Sequence, residues 1–122
     1  MKSHFQGIDT IIIRVKDIEI SKQWYIEKLG LVSEWEDAEL KLVVLHTGGP
    51  VSVTLWQTEA PVVSSRDGSA YPIFRTPGAK EAHAAMLKAS VKADPVITDH
   101  LVTYFRFYDP DGNVLEACQV HG

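Results

Sequence analysis

The chain has a single cysteine, Cys118, so no intramolecular disulfide can staple it and the fold must rest on packing. It has no apolar run of membrane-spanning length; a run such as Ile11-Ile12-Ile13 is strand-sized. It has no excess of basic residues, and a formal net charge of −4 disfavours nucleic acid and anionic membranes as partners. The opening residues, Met1-Lys2-Ser3-His4-Phe5-Gln6, lack the apolar stretch of a secretory signal, and with the lone thiol this gives a cytoplasmic protein as the expectation. What is there is ordinary for a globular chain: 122 residues, 45% hydrophobic and 23% charged, enough for one domain with its own core.

Periodicity divides the chain into strands and two helices. Residues 8–15 are β-branched and alternate, with Ile11, Ile13 and Val15 on one face and Thr10, Ile12 and Arg14 on the other. Asp17 is placed to cap a helix starting near Ile18, with Ile20, Trp24, Tyr25 and Leu29 as its apolar stripe and Gly30 as its stop. Strands are expected over 31–37, 40–47 and 51–57, broken by a polar turn near Asp37-Ala38-Glu39 and by Gly48-Gly49-Pro50. A connection over 58–69 holds Pro61 and Asp67-Gly68, and a strand follows over 70–75. Thr76 before Pro77 predicts the cap of a second helix, whose buried stripe is Ala79, Ala82, Met86 and Ala89. Strands over 96–98, 101–108 and 113–120 complete the pattern.

The order strand, helix, three strands therefore occurs twice, with a period of about sixty residues. Module one covers about 5–57 and module two about 70–121 of a single domain, 1–122. Neither module is large enough to cover its own sheet. The expected fold is α+β: two tandem βαβββ modules forming one curved eight-stranded mixed sheet, helices on the convex side, and an open concave cup.

The last strand carries the most telling residue. In Asp109-Pro110-Asp111-Gly112-Asn113-Val114-Leu115-Glu116, Pro110 and Gly112 supply the torsions of a tight turn, and Glu116 then sits among Val114, Leu115, Ala117 and Cys118. With the helix Ser21-Lys22-Gln23-Trp24-Tyr25-Ile26-Glu27-Lys28-Leu29-Gly30-Leu31 and the repeated modules, this hairpin resembles the vicinal oxygen chelate superfamily. That group includes glyoxalase I, bleomycin-resistance proteins, fosfomycin-resistance enzymes and extradiol dioxygenases. The resemblance spans essentially the whole chain, and it implies homodimers and a metal site in the cup, with ligands from the first and fourth strand of each module.

Carried over by position, those ligands fall on Thr10, on or near Thr54, on Tyr71 and on Glu116; only the last is a ligand type the family uses. One carboxylate with three hydroxyls is a poor donor set for a divalent cation, which wants three or four imidazole, thiolate or carboxylate groups. His46 and His100 are the histidines that a rebuilt site would need. The expectation is no metal and no other cofactor, and a metal-dependent glyoxalase or dioxygenase is disfavoured.

The favoured reading is a small-molecule binder whose organic ligand sits in the cup against Thr10, Arg14, Thr54, Trp56, Tyr71, Arg75 and Glu116, with Trp56 and Tyr71 stacking. Tyr104 and Cys118 share that lining. The alternative is a lyase, isomerase or thiol transferase, using Glu116 as catalytic base or a rebuilt metal site. Glu116 also has a silent reading, as a carboxylate paired with Arg14, Arg75 or Arg106. His83 reads as structural, His4 and His121 as solvated, and Cys118 as an inert buried thiol.

Overall fold

A computed structural model describes residues 2–122, and the chain divides into two compact units, Met1–Glu59 and Ala60–Gly122. In the first unit, β1 (Thr10–Val15), α1 (Ile18–Leu29), β2 (Val32–Asp37), β3 (Leu42–His46) and β4 (Ser52–Gln57) follow in order. In the second the same order returns as β5 (Ile73–Arg75), α2 (Ala79–Lys88), β6 (Ile97–Thr98), β7 (Val102–Tyr108) and β8 (Val114–Val120). The βαβββ repeat is thus present. Its eight strands fall into two hydrogen-bonded sheets of four, ordered β1-β4-β3-β2 and β5-β8-β7-β6. In each sheet the first strand runs parallel to the fourth, and the other pairs are antiparallel.

The alternation of β1 is obeyed. Ile13 and Val15 are buried with Val53 and Leu55 of β4, while Thr10, Ile12 and Arg14 lie on the opposite face. Helix α1 packs on β3 and β4. Asp17 caps it, its carboxylate accepting from the amides of Glu19 (3.0 Å) and Ile20 (3.2 Å), and Gly30 ends it at φ 72°. The stripe differs from the sequence expectation. Tyr25 is fully buried, and the positions four and seven residues before it, Ser21 and Ile18, are buried with it. Ile20 lies off that line and is 58% exposed.

The second helix starts later than the Thr76-Pro77 signal predicts. Its N-cap is Gly78, which has no side chain to offer, and Thr76 Oγ1 accepts from the Gly78 amide at 3.2 Å as a turn preceding the helix. The cap comes from the sheet instead. Gln119 Oε1 accepts from the Ala79 amide at 2.9 Å, and Gln57 Oε1 accepts from the Ile18 amide at 3.0 Å in module one. Both glutamines end the buried side of a fourth strand, so each module ties its helix start to its sheet through the same group.

Phe105, Phe107, Leu115 and Ala117 form the helix-side core of module two, and the His83 ring stands edge-on to Phe105 at 5.0 Å. The hairpin between β7 and β8 is organised by Asp109. Its Oδ1 accepts from the amides of Asp111 and Asn113 (2.9 Å each), its Oδ2 accepts from the Asn113 side-chain amide (2.8 Å), and Gly112 takes φ 81°. Three donors of the turn are thereby held by the two oxygens of one carboxylate, and the register of β8 against β7 follows from that turn.

Candidate functional site

In module one the candidate positions on the first and fourth strands come together; in module two β5 starts at Ile73, later than the expected 70, and Tyr71, two residues before it, meets Glu116 of β8. In module one Thr10 Oγ1 and Thr54 Oγ1 are 2.7 Å apart, and Thr10 Oγ1 also reaches the Ser52 carbonyl at 3.2 Å. With the Thr10 hydroxyl donating to that carbonyl, Thr54 is left to donate to Thr10 Oγ1. Further along the same face, Arg14 lies over the Trp56 ring at 4.9 Å and donates to the carbonyls of Trp56 and Gln57 at 3.2 Å each. Trp56 Nε1 donates to the Leu40 carbonyl at 3.1 Å, so this ring is anchored on both sides.

In module two the equivalent pair is Tyr71 and Glu116. The Tyr71 hydroxyl donates to Glu116 Oε1 at 3.4 Å, and Arg106 Nη2 donates to the same hydroxyl at 3.4 Å. Arg106 stands directly opposite Glu116 on β7, with Tyr104 opposite Cys118 and Arg75 beside Cys118 on β5. Of the three arginines named as partners for Glu116, Arg106 is therefore the one that meets it: Nε to Oε1 is 3.6 Å, an ion pair too long for a hydrogen bond. Arg106 Nε is buried and has no hydrogen-bond acceptor among the described residues. The guanidinium lies against two rings, Tyr71 and Tyr104, at 5.8 Å each.

Glu116 is 6% exposed, and burial pushes its carboxyl above the ordinary range; the Arg106 charge and the Tyr71 hydroxyl pull it back only in part. The Cys118 thiol is also pushed up, first by burial and then by the negative charges of Glu116 and Asp99. That is the opposite of what an activated nucleophile needs.

Beside this cluster, module two has a cavity of about 210 Å³ lined by Arg66, Asp94, Pro95, Ile97, Tyr104 and Arg106. Asp94 Oδ2 receives both Arg66 Nη1 (3.0 Å) and the Tyr108 hydroxyl (2.7 Å), which closes its charge. Arg66, Asp94 and Ile97 were not among the sequence candidates. Arg66 sits in the segment 58–69, which carried no motif, and a local signal for it is lacking. Arg106 had one: counting outward equally from the turn pair Asp109 and Asn113 lands on Arg106 and Glu116.

The histidines do not converge on either pair. His46 Nδ1 accepts from the Gly48 amide at 3.0 Å, His83 Nε2 meets the Asp94 carbonyl at 2.9 Å, and His121 Nε2 meets Thr103 Oγ1 at 2.7 Å. His100 is exposed on the turn before β7. Among the described residues no three His, Cys, Asp or Glu side chains cluster as cation ligands.

Two βαβββ modules with open four-stranded sheets and a polar point on the last strand define a glyoxalase-like α+β architecture. The family model of the Glyoxalase/Bleomycin resistance protein/Dioxygenase superfamily matches residues 7–117, and the chain belongs to that superfamily. No functionally curated protein matches it. Among solved structures it is similar to a glyoxalase family protein from Enterococcus faecalis (21% identity, 95% of this chain and 99% of that one, TM-score 0.79). It is also similar to the genomically encoded fosfomycin resistance protein FosX from Listeria monocytogenes (13% identity, 96% and 95%, TM-score 0.80). A third is TnmS3, an antibiotic binding protein from Streptomyces sp. CB03234 (19% identity, 98% and 100%, TM-score 0.78). At such identities the likeness speaks to the fold.

The donor chemistry of this chain does not fit the divalent cation that the fold family implies. Thr10 and Thr54 are neutral hydroxyls bonded to each other, and Tyr71 is bonded to the one carboxylate present.

Proposed function

We propose that this protein binds a small organic molecule without a metal ion and without chemistry, using the open face of its sheets. The observation that supports this reading most directly is the pairing of the four family ligand positions among themselves. Thr10 with Thr54, and Tyr71 with Glu116, fill the places of a cation with hydrogen bonds, while tyrosine rings, a guanidinium and a cavity stand next to them in module two. Trp56 under Arg14 gives module one an aromatic shelf on its own corresponding face, and Arg75 lies exposed beside Cys118 in module two. An antibiotic-binding relative of this fold makes sequestration a reasonable class of role.

The test pairs two measurements on protein purified without chelators or a histidine tag. Elemental analysis is expected to find no stoichiometric metal. A thermal-shift screen of neutral, cationic and anionic organic compounds is expected to give hits, since a ligand of the native state raises stability by mass action. Stoichiometric metal lost on Glu116→Gln overturns the reading. The second reading, a metal-free lyase or isomerase, draws on the raised carboxyl of Glu116, which suits a general base. Turnover of any screening hit that Glu116→Gln abolishes favours it over simple binding. Location in the cytoplasm and assembly as a homodimer belong to the same proposal, the latter tested by light scattering on the purified chain.

A further inference from the structure

We infer that module two selects its ligand by a carboxylate, or an equivalent planar oxyanion, on a single aromatic ring, with Arg106 taking the anion and Tyr104 and Ile97 taking the ring. The inference rests on the binding reading above and specifies the chemical class of ligand.

Three observations carry it. First, the Arg106 guanidinium lines the cavity with most of its hydrogen-bonding capacity unused. It has five N–H donors. Among the described residues one of them reaches an acceptor, the Tyr71 oxygen at 3.4 Å, and the Glu116 carboxylate stands at 3.6 Å, outside hydrogen-bond range. A guanidinium in that condition gains from an incoming acceptor with two oxygens in one plane, which matches its fork. Second, Arg106 is held in place before any ligand arrives, packed against Tyr71 and Tyr104 at 5.8 Å each, so little side-chain freedom is left to lose on binding. Third, the remaining walls suit a ring and not a second charge. Ile97 and Pro95 are apolar, Tyr104 is aromatic, and the one carboxylate in the lining, Asp94, is already occupied by Arg66 and Tyr108.

Size sets the limit on the body of the ligand. A cavity of about 210 Å³ is below the ~300–1,000 Å³ of sites that enclose drug-sized molecules, so it takes one ring and its substituent or one end of something longer.

Glu116 competes in this arrangement. It is the carboxylate that Arg106 now faces, and an arriving carboxylate must share the guanidinium with it. Neutralising Glu116 therefore strengthens ligand binding, which a base or a merely structural carboxylate would not do.

The experiment titrates the whole chain with benzoate, benzyl alcohol, benzylamine and acetate, following backbone amide shifts by NMR. Benzoate is expected to bind and move the amides of Tyr104 and Arg106, with the other three weaker by roughly tenfold or more. Arg106→Lys keeps the charge, loses the fork, and should weaken benzoate by roughly tenfold. Tyr104→Leu should weaken benzoate and leave acetate alone. Glu116→Gln should tighten benzoate several-fold. Benzyl alcohol or benzylamine binding as well as benzoate, or Arg106→Lys binding benzoate as well as the parent with native amide shifts elsewhere, overturns the inference while leaving small-molecule binding intact. Failure of every compound in the broad thermal-shift screen is the separate result that sinks the binding reading itself.

Discussion

Arg106 and Glu116 stand opposite each other on adjacent antiparallel strands, yet their closest charged atoms are 3.6 Å apart and share no hydrogen bond. The pair offsets part of the desolvation of Glu116 and leaves its carboxyl raised. A carboxyl whose folded pKa lies above its unfolded value gives stability that is complete below the unfolded pKa. That stability is lost as pH rises from there through the folded pKa. The melting temperature should therefore fall across this window just above the ordinary carboxylate range. Glu116→Gln should flatten that part of the profile, and the difference curve between the two proteins measures it. Arg106→Met removes the opposing charge, so the window should extend to higher pH, with about 1–3 kcal/mol lost near neutrality. A difference curve with no slope in this range would show that Glu116 is not the desolvated acid the geometry makes it.

The helix caps make a second prediction, and the two modules should differ. Helix α1 has Asp17 for its second and third amides and Gln57 for its first, whereas α2 has Gln119 alone. Gln119→Leu should cost about 1–2 kcal/mol in urea unfolding, and Gln57→Leu less. Supplying the missing cap should help. Gly78 is at φ −150°, which any residue adopts, and an added Cβ would meet only the movable carboxylate end of Glu81. Gly78→Ser should raise stability by about 0.5 kcal/mol.

Asp109 governs the β7–β8 turn, and its removal should be felt far beyond the loop. Asp109→Ala strands the Asp111 and Asn113 amides and the Asn113 side chain in a site where both residues 109 and 113 are buried. A loss of about 3 kcal/mol is expected, with Asp109→Asn recovering a part of it because one carbonyl oxygen remains. Because the turn fixes the β8 register, the Tyr104 and Arg106 amide shifts should broaden in Asp109→Ala even under native conditions. Sharp, unshifted signals there would show that β8 holds its register without the turn.

How far the sequence could be read follows from how locally each feature is encoded. The two modules were legible because β-branched alternation and turn residues act over a few positions, whereas Thr10, Thr54, Tyr71 and Glu116 were singled out through the family resemblance, and their hydrogen bonds to one another had no local signal. The start of α2 was misread for the opposite reason. Thr76 and Pro77 make a sound local signal, but Gln119, 40 residues further along the chain, caps the first amide at Ala79. The Ile20 error was one of phase: apolar residues on α1 outnumber those its sheet covers, and the burial of Tyr25 decides which face turns inward. The cavity was invisible because Arg66 comes from one segment, Asp94 and Ile97 from a second and Tyr104 and Arg106 from a third, with no spacing rule among them.

Cys118 supplies the last prediction and a direct test against a thiol-transfer role. Its thiol is half-buried beside Glu116 and across from Tyr104, and burial and the charges of Glu116 and Asp99 hold it protonated. The thiolate is the reactive form, so alkylation by iodoacetamide at neutral pH should be slower than for a free cysteine in the unfolded chain. Glu116→Gln removes one of the three causes and should speed the native reaction, with burial and the Asp99 charge still keeping it below the unfolded rate. Cys118→Ser should then bind aromatic carboxylates as the parent does, since the thiol is outside the residues that line the cavity. Fast alkylation in the parent protein, together with loss of ligand binding in Cys118→Ser, would place the thiol in the site and return the thiol-transferase reading to the front.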